Sequence, residues 1–310
     1  MKFNQSKIKK AKKYLDNGYC IGVPTETVYG LAANAYSNLA VNKIFKLKKR
    51  PKTNPLIVHY SNLKSLKKDC LINDDFINLY KKFSPGPLTY ILKLKKNSKI
   101  SKNITNKEND LAVRFPKHKT FKELLRLLNY PLAAPSANIS TRVSAVQAAD
   151  VKEEFGSKIK FILDGGKSNI GLESTIISLT KQPTILRLGG LDVSKLESAL
   201  GKKIKLNLNP RKKIGTGQSR LHYSPGIPLK MNMKVAKTNQ AFLLIKKKKI
   251  NLNNYYFLSK KNNLNEAAKN LYSCLRKIKN DGYKSIVVEK IPKKGLGKTI
   301  NDRLNRASKY

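Results

Sequence analysis

Cysteine is scarce in this chain, and the few cysteines lie far apart. The 310 residues include 3 cysteines, Cys20, Cys70 and Cys274, and none of them belongs to a Cys-x-x-Cys pair. Disulfide frameworks and structural zinc sites need cysteine or histidine ligands at close and regular spacing. The spacing therefore argues against both and indicates a protein from a reducing compartment.

Long apolar runs are also missing. No segment approaches the roughly 18 consecutive apolar residues of a membrane span, and residues 1–16 are rich in lysine without the apolar core of a signal peptide. We therefore expect a cytoplasmic protein with no membrane partner. With 40% hydrophobic residues, the chain can still bury substantial cores, and its length predicts two domains.

Acidic residues are the third deficit. Asp and Glu number 19 against 64 Lys and Arg, which gives a formal net charge of +45. Such a charge is typical of proteins that bind nucleic acid, because Lys and Arg displace the counterions condensed on phosphates. Most of this charge is lysine spread through helices and loops, however, a pattern that a general drift toward lysine and asparagine also produces. The net charge leaves selected RNA binding as an open alternative.

Short apolar runs alternate with helical patterns along most of the chain, which predicts an α/β fold. Ser144 is predicted to cap a helix that ends at Phe155, so that free N–H groups at its start would form an anion site. The main predicted helices cover residues 4–17, 39–47, 73–83 and 144–155. The predicted strands cover 20–23, 55–60, 88–94, 111–115, 131–134, 159–163, 174–179 and 184–188.

The segment 202–226 interrupts this alternation. It combines charged residues, an Asn-Pro pair, Gly215 and Gly217 with few apolar residues, which is typical of a linker. We expect it to separate a catalytic domain over 1–201 from a second domain over 227–310, and to close over the site as a lid. Strands at 241–245, 255–258 and 285–289 alternate with helices at 266–279 and 298–308. The second domain is therefore predicted to be small, parallel-stranded and Rossmann-like.

Polar and charged side chains gather where the predicted strands end. Ligands of open α/β sheets bind where strands deliver side chains into loops, so such clusters are typical of a binding site. Arginine is rare against the lysine background, and it makes bidentate contacts with carboxylate or phosphate that lysine cannot copy. The six clusters are Pro24 to Leu31, Lys48 to Arg50 with Asn54 and His59, Arg114, Pro135 to Asn138, Glu173 to Thr175, and Arg187.

The common catalytic templates are absent from the sequence. It contains no Gly-x-x-x-x-Gly-Lys-Ser/Thr loop, no His-Glu-x-x-His, no Gly-x-Ser-x-Gly and no close Cys/His pair. Paired carboxylates for acid/base catalysis are not obvious either. The remaining hydroxyls, amides and cations suit a site for a nucleotide and a small amino acid, in which Lys48 and Arg50 clamp phosphate and Arg114 binds a carboxylate or phosphate.

Seven motifs follow one another along the chain. They are Pro24-Thr-Glu-Thr-Val-Tyr-Gly-Leu31, Lys48-x-Arg50-Pro51, Asn54-Pro-Leu-Ile-Val-His59, Ser84-Pro-Gly-Pro-Leu-Thr89, Ala112-Val-Arg-Phe-Pro116, Ala133-Ala-Pro-Ser-Ala-Asn138 and Glu173-Ser-Thr-Ile176. In this order they strongly resemble the threonylcarbamoyl-AMP synthases, the YrdC-like family. The C-terminal part of the chain is similar to the extra C-terminal domain of the longer members. Two motifs carry this similarity, His222-Tyr-Ser-Pro-Gly226 and Gly295-Leu-Gly-Lys-Thr-Ile-Asn-Asp-Arg303.

The resemblance implies a YrdC-like domain, a twisted mixed-sheet α/β fold with a basic cavity, followed by a small Rossmann-like domain. It also implies an L-threonylcarbamoyladenylate synthase, which converts L-threonine, bicarbonate and ATP into threonylcarbamoyl-AMP, pyrophosphate and water. The expected use of the product is threonylcarbamoyladenosine modification of tRNA next to the anticodon. That use implies hand-over to a tRNA threonylcarbamoyl transferase machinery.

The resemblance also assigns residues by motif. Lys48 and Arg50 match the phosphate clamp and are the expected catalytic residues, with Mg²⁺ arriving on ATP and no residue assigned as a metal ligand. Catalysis is expected from holding the reactants together and neutralising phosphate charge. The L-threonine set is Thr27, His59, Arg114, Ala134 and Ser174, and the ATP set is Arg50, Asn54, Ser136, Ser144, Arg187 and Tyr223.

Two alternatives compete with this interpretation. A non-catalytic module that binds double-stranded RNA or tRNA would use the positive charge, but it would not need the particular spacings of Lys48, Arg50, Arg114, Ser174 and Arg187. A carbamoyl transferase that serves maturation of a metal enzyme would carry acylphosphatase-like and zinc-finger segments, which no cysteine spacing here supplies. Whether any side chain acts as a general base stays open.

Overall fold

The computed structural model describes residues 5–209, 221–246 and 252–309 of the chain. Within those ranges the strands form two sheets, one with nine strands and one with four. The predicted α/β class is confirmed. None of the helices in these ranges is both long and apolar enough to span a membrane.

The larger sheet is mixed, as predicted. Its order is β1-β2-β6-β3-β5-β4-β7-β8-β9, and the pairs β3/β5, β4/β7 and β8/β9 are parallel while the other neighbours are antiparallel. The strands are β1 (Ile21–Val23), β2 (Gly30–Asn34), β3 (Ile57–His59), β4 (Leu88–Lys93), β5 (Asp110–Arg114), β6 (Leu132–Ala133), β7 (Thr175–Ser178), β8 (Thr184–Arg187) and β9 (Lys205–Leu206). The helices are α1 (Gln5–Asp16), α2 (Asn38–Lys48), α3 (Leu63–Leu66), α4 (Asp74–Phe83), α5 (Lys119–Leu127), α6 (Ala148–Phe155) and α7 (Val193–Leu200).

The structure corrects two strand predictions. Strand β2, Gly30–Asn34, was not predicted because glycine, alanine and asparagine have low strand propensity, yet it pairs with β1 from Val23↔Gly30 to Ile21↔Ala32. The segment 159–163 was predicted as a strand, but its pairing is limited to a single bridge between Gly22 and Ile162. The loop from Pro24 to Tyr29 thus joins two antiparallel strands.

The helix predicted to start at Ser144 begins later. Helix α6 starts at Ala148 with Gln147 as its N-cap. The Asp150 carboxylate accepts the backbone N–H groups of Val146 and Gln147, so an acidic side chain already lies at the start of the helix and would repel an anion there. The anion site proposed for free N–H groups at Ser144 is therefore wrong.

The C-terminal part of the chain forms the smaller sheet. Its order is β10-β13-β11-β12 and every pair is parallel, which confirms the Rossmann-like prediction. The elements are β10 (Leu229–Lys230), β11 (Ala241–Lys246), β12 (Tyr255–Ser259), α8 (Leu264–Asn280), β13 (Ile286–Val288) and α9 (Leu296–Ala307). The two-residue strand β10 is too short to give a pattern in the sequence.

The predicted linker is only partly described. Strand β9 lies inside the segment 202–226 and extends the larger sheet beside β8. Gly215 and Gly217, on which the expected lid depends, lie outside the described residues. The lid and the domain boundaries at 201 and 226 stay predictions.

Apolar side chains of both domains share one core. Val28, Val143, Val146 and Leu172 of the first domain are buried in the same cluster as C-terminal residues such as Leu271. Burying a side chain of this size is worth ~1.5–3 kcal/mol. Because Val28 lies in the Pro24 to Leu31 motif and Val143 precedes Ser144, this contact fixes predicted site loops against the C-terminal domain.

Buried ionic contacts cross the same boundary. Arg303 of α9 donates through Nε to Glu173 Oε2 at 3.0 Å and through Nη2 to the Leu188 carbonyl at 2.6 Å. Arg276 of α8 donates through Nη2 to Glu154 Oε1 at 2.9 Å. Breaking such a pair by removing one partner typically costs ~3–5 kcal/mol, because the other charge stays buried. The two domains are therefore held together by charge as well as by apolar contact.

The charge state of Glu173 ties stability to pH. Burial alone would raise the pKa of the Glu173 carboxyl, but the charges of Arg303 and Arg187 and the hydrogen bond from Ser144 lower it from 4.5 to about 2. A carboxyl with a lower pKa in the folded than in the unfolded protein contributes stability above its unfolded pKa. That contribution is lost as the pH falls toward the folded pKa.

We expect this group to remove on the order of 3 kcal/mol from the free energy of unfolding between its unfolded and folded pKa. Urea unfolding followed by circular dichroism at several pH values measures it. Glu173→Gln should lack this part of the pH dependence. Burial lowers the pKa of His222 to about 3, and this group titrates in both proteins. Parallel pH profiles of the wild type and the variant would contradict the expectation.

Candidate functional site

One cleft at the edge of the larger sheet brings together residues of both predicted ligand sets. Thr25, Glu173 and His222 also line it, although the sequence assigned none of them. Thr25 and Glu173 lie inside motifs already identified, and His222 directly precedes Tyr223, so adjacency in sequence was the signal available. The predicted residues that line the cleft are Arg50, His59, Arg114, Ala134, Ser136, Ser174 and Arg187.

Sheet topology explains why distant arginines meet here. Strands β3 and β5 are parallel, and their register places His59 beside Arg114 at the last residue of each strand. Strands β7 and β8 are antiparallel, so Arg187 at the end of β8 lies beside the start of β7, where Ser174 precedes the strand. The strand ends thus deliver two cations and a histidine to one edge, as the sequence predicted.

Arg187 and Ser174 are joined directly. Arg187 donates through Nε and Nη2 to the Ser174 carbonyl at 3.0 and 2.8 Å, and Nη2 also donates to Ser174 Oγ at 3.0 Å. Ser174 Oγ lies 2.7 Å from Thr89 Oγ1. The predicted ATP-binding arginine and the predicted threonine-binding serine therefore form one network in the cleft wall.

Arg50 faces the cleft with its charge poorly compensated. It follows Lys49, which ends α2 in the left-handed conformation with φ 49°. Its Nε and Nη2 donate to the carbonyl oxygens of Asn54 and Pro55 at 2.9 and 2.8 Å. Burial and the nearby charge of Arg187 lower the pKa of Arg50 to about 9. An anion placed between the two guanidinium groups would relieve this repulsion.

Lys48 and Asn54 lie behind the cleft wall. The Lys48 ammonium donates to the carbonyl of Ser136 at 2.6 Å and also to that of Asn138. Burial and the charge of Arg50 hold the pKa of Lys48 well below its ordinary value. Lys48 thus shapes the loop that carries Ser136 into the cleft, and its expected catalytic role stays a prediction.

Arg114 already has an anionic partner. Its Nη2 donates to Glu26 Oε1 at 2.8 Å, and its Nε donates to the Gly86 carbonyl at 3.3 Å. The other oxygen of Glu26 accepts the Lys117 N–H at 3.0 Å. Burial raises the pKa of Glu26, but the charge and hydrogen bond of Arg114, together with backbone hydrogen bonds, outweigh burial and the pKa is lowered. A ligand carboxylate would therefore have to share Arg114 with Glu26 or replace it.

His59 and the threonines complete this half of the cleft. The His59 ring packs against Phe121 with 5.4 Å between ring centroids. Burial first, and then the charge of Arg114, hold the pKa of His59 well below 6.5, so the ring is neutral at pH 7. Thr27 is fully buried with its Oγ1 2.8 Å from Thr25 Oγ1, and Thr25 is the one that lines the cleft.

Ser144 and Tyr223 support the wall from behind. Ser144 Oγ donates to Glu173 Oε1 at 2.6 Å. Tyr223 has a left-handed backbone with φ 62°, and its ring stacks on Tyr272 with 5.9 Å between centroids. Both side chains are fully buried, and neither lines the cleft directly.

Buried polar atoms without a partner concentrate around this cleft. In the described ranges, eight buried side-chain nitrogen or oxygen atoms lack a hydrogen bond, and five of them belong to the cleft or to the motifs around it. Folded proteins rarely leave such atoms unsatisfied, except where a ligand or water completes them. The five are Asn54 Oδ1, His59 Nδ1, Asn138 Oδ1, His222 Nδ1 and Tyr223 OH.

Comparison with known proteins points to one family. A family model described as "Telomere recombination" (Sua5_yciO_yrdC) matches residues 13–189, and a model described as "Threonylcarbamoyl-AMP synthase, C-terminal domain" matches residues 191–309. Threonylcarbamoyl-AMP synthase of Pyrococcus abyssi is 36% identical, with 98% of this chain and 94% of the relative covered. The protein of that name from Bacillus subtilis is 32% identical over the same shares of each chain.

The solved structures agree. The crystal structure of P. abyssi Sua5 complexed with L-threonine matches with a TM-score of 0.92 and 32% identity, covering 100% of this chain and 96% of the other. Both domains of this chain are thus matched in sequence and in fold. The chain belongs to the Sua5/YciO/YrdC family, in the form that carries the C-terminal domain of the threonylcarbamoyl-AMP synthases.

Proposed function

We propose that this protein is an L-threonylcarbamoyladenylate synthase, which makes threonylcarbamoyl-AMP, pyrophosphate and water from L-threonine, bicarbonate and ATP. The observation that carries the proposal is that a single cleft holds Arg50 and Arg187 as one pair, both cationic, and Arg114 with neutral His59 as a second pair. The first pair suits phosphates and the second suits an amino-acid carboxylate. The names of the relatives support the same reaction.

The reaction needs two bond-forming steps. The amine of threonine attacks the carbon of bicarbonate, and loss of water leaves a carbamate. A carbamate oxygen then attacks the α-phosphorus of ATP in line with the departing pyrophosphate. Arg50 and Arg187 would neutralise charge on the phosphates, while Arg114 would hold the threonine carboxylate and keep its amine close.

The proposal gives the surrounding groups supporting roles. Neutral His59 can accept a hydrogen bond from threonine or donate one to it, without adding charge beside Arg114. Asn54, Ser136, Ser144 and Tyr223 would complete the nucleotide site, and Lys48 would fix the Ser136 loop. In the part of the chain that the structure describes, no three His, Cys, Asp or Glu side chains cluster to hold a metal, and we propose that Mg²⁺ enters as part of MgATP.

The product would pass to a tRNA threonylcarbamoyl transferase for modification of the adenosine next to the anticodon. Direct contact with tRNA or double-stranded RNA belongs to the same proposal, supported by the formal net charge of +45. The cytoplasmic location stays a prediction.

Pyrophosphate release tests the reaction. The purified protein with MgATP, bicarbonate and L-threonine should release pyrophosphate, because both clamps are then filled. Leaving out threonine or bicarbonate should abolish the signal, and mass spectrometry should detect threonylcarbamoyl-AMP in the complete mixture. Equal ATP turnover without threonine would indicate a plain ATPase. RNA binding without any pyrophosphate release would favour the non-catalytic module.

Arg114→Lys tests which ligand the second pair binds. Lysine keeps the charge and can still pair with Glu26, but it loses two-pronged hydrogen bonding to a carboxylate. Loss of one charge-assisted hydrogen bond costs ~1.5–3 kcal/mol, so the KM for threonine should rise roughly 10- to 100-fold while the KM for ATP changes little. Arg126→Lys is the matched control, because Arg126 lies on α5 with a side chain 57% exposed. A larger effect on ATP than on threonine would refute the assignment.

A further inference from the structure

Arg303 is buried to an unusual degree for an arginine, with a side chain 1% exposed. It lies on α9 in the C-terminal domain, yet its hydrogen bonds to Glu173 and to the Leu188 carbonyl both reach the first domain. Its guanidinium carbon also lies 4.6 Å from the centre of the Tyr223 ring. One side chain therefore contacts a residue of the cleft wall and a residue assigned to ATP.

The carboxylate that Arg303 binds is itself part of the cleft. Glu173 lines it, and both of its oxygens are engaged. Oε1 accepts from Ser144 Oγ at 2.6 Å and Oε2 accepts from Arg303, while Tyr272 OH lies 3.1 and 2.9 Å from the two oxygens. A carboxylate in the wall of a site for phosphates repels the ligand unless a cation neutralises it. The C-terminal domain supplies that cation.

A second buried arginine shows that joining the domains does not require contact with the cleft. Arg276 also reaches from the C-terminal domain into the first domain, where it binds Glu154 and the Val143 carbonyl. Neither partner lines the cleft. Arg276 is therefore a natural control for Arg303, since both are buried, both cross the boundary and only Arg303 contacts the cleft wall.

We propose that Arg303 is a positioning residue for the nucleotide half of the cleft: it neutralises and orients Glu173, so that Arg187, which is hydrogen-bonded to the next residue, Ser174, can meet the phosphates. This inference rests on the proposed function. The ionisable groups that face Glu173 are Arg303 from α9, Tyr272 from α8, Arg187 from β8, and His222 and Tyr223 from the segment before β10. Arg303 is the cation hydrogen-bonded to it.

Calorimetric titration tests the inference on the full chain, with L-threonine and a non-hydrolysable ATP analogue as separate ligands. Arg303→Met should weaken binding of the ATP analogue at least tenfold and change threonine affinity less than twofold, because uncompensated Glu173 then faces the phosphates. Arg303→Lys should recover part of the loss. Arg276→Met should leave both affinities within twofold of wild type, although it removes a buried ion pair of the same kind.

The pH dependence separates positioning from a merely structural role. In Arg303→Met, burial should raise the pKa of Glu173. The carboxyl would then gain a proton as the pH falls from 8 to 5, and the affinity for the ATP analogue should recover relative to wild type. Dividing the affinity of the variant by that of the wild type at each pH cancels the effect of protonation of the ATP analogue itself. Adding Glu173→Gln to Arg303→Met should restore affinity at all pH values.

Tyr272→Phe covers the case in which Arg303→Met does not fold. It removes only the hydroxyl next to Glu173 and should weaken the ATP analogue about threefold without changing threonine binding. Equal ATP affinities for Arg303→Met and Arg276→Met, or an unaltered Tyr272→Phe if Arg303→Met is unfolded, would overturn the inference while leaving the proposed function standing. A wild-type protein that binds neither ligand would overturn both.

Discussion

Burial of charge in the cleft is the constraint on which the rest of the structure depends. An ionised side chain removed from water costs several kcal/mol unless a partner or a hydrogen-bond network compensates it. Arg114 has Glu26, and Arg303 has Glu173, whereas Arg50 is hydrogen-bonded to carbonyl oxygens. Arg114 lies at one edge of the sheet because β5 ends there, whereas Arg50 follows α2 and Arg303 comes from α9. What remains is an excess of positive charge on buried side chains around the cleft, which suits an anionic ligand.

The same constraint explains why the C-terminal domain contributes to the cleft as well as to stability. Its helices α8 and α9 pack against Val28 and Leu172 of the first domain in the shared cluster. Through Arg303 and Tyr272 it also sets the charge and orientation of Glu173. Apolar packing places α8 and α9 beside the cleft, and from there Arg303 of α9 reaches Glu173. Stability and ligand binding are therefore linked through one carboxylate.

Much of the site could be predicted from local patterns. Short apolar runs that end in Arg114 and Arg187 identified both the strands and the side chains they deliver, because strand ends and ligand sites coincide in such sheets. Strand β2 was missed because Gly30–Asn34 has weak local propensity and is a strand only through its partners β1 and β6. Ser144 was wrongly predicted as a helix cap, since α6 begins at Ala148 with Gln147 as its N-cap and Asp150 in its first turn.

Pairings across long sequence separations could not be predicted. Glu26 meets Arg114 across 88 residues and Glu173 meets Arg303 across 130, and neither pair leaves a local pattern. These two contacts decide which cations are compensated. The net charge gives no help, because lysine spread over the whole surface says nothing about a particular buried arginine.

In the proposed function, one cleft binds both an amino acid and a nucleotide. The decisive measurement is a crystal structure of the full chain with L-threonine and a non-hydrolysable ATP analogue. We expect the threonine carboxylate at Arg114 and the phosphates between Arg50 and Arg187, with Glu173 still bound to Arg303. A nucleotide outside this cleft, or a threonine bound away from Arg114, would contradict it.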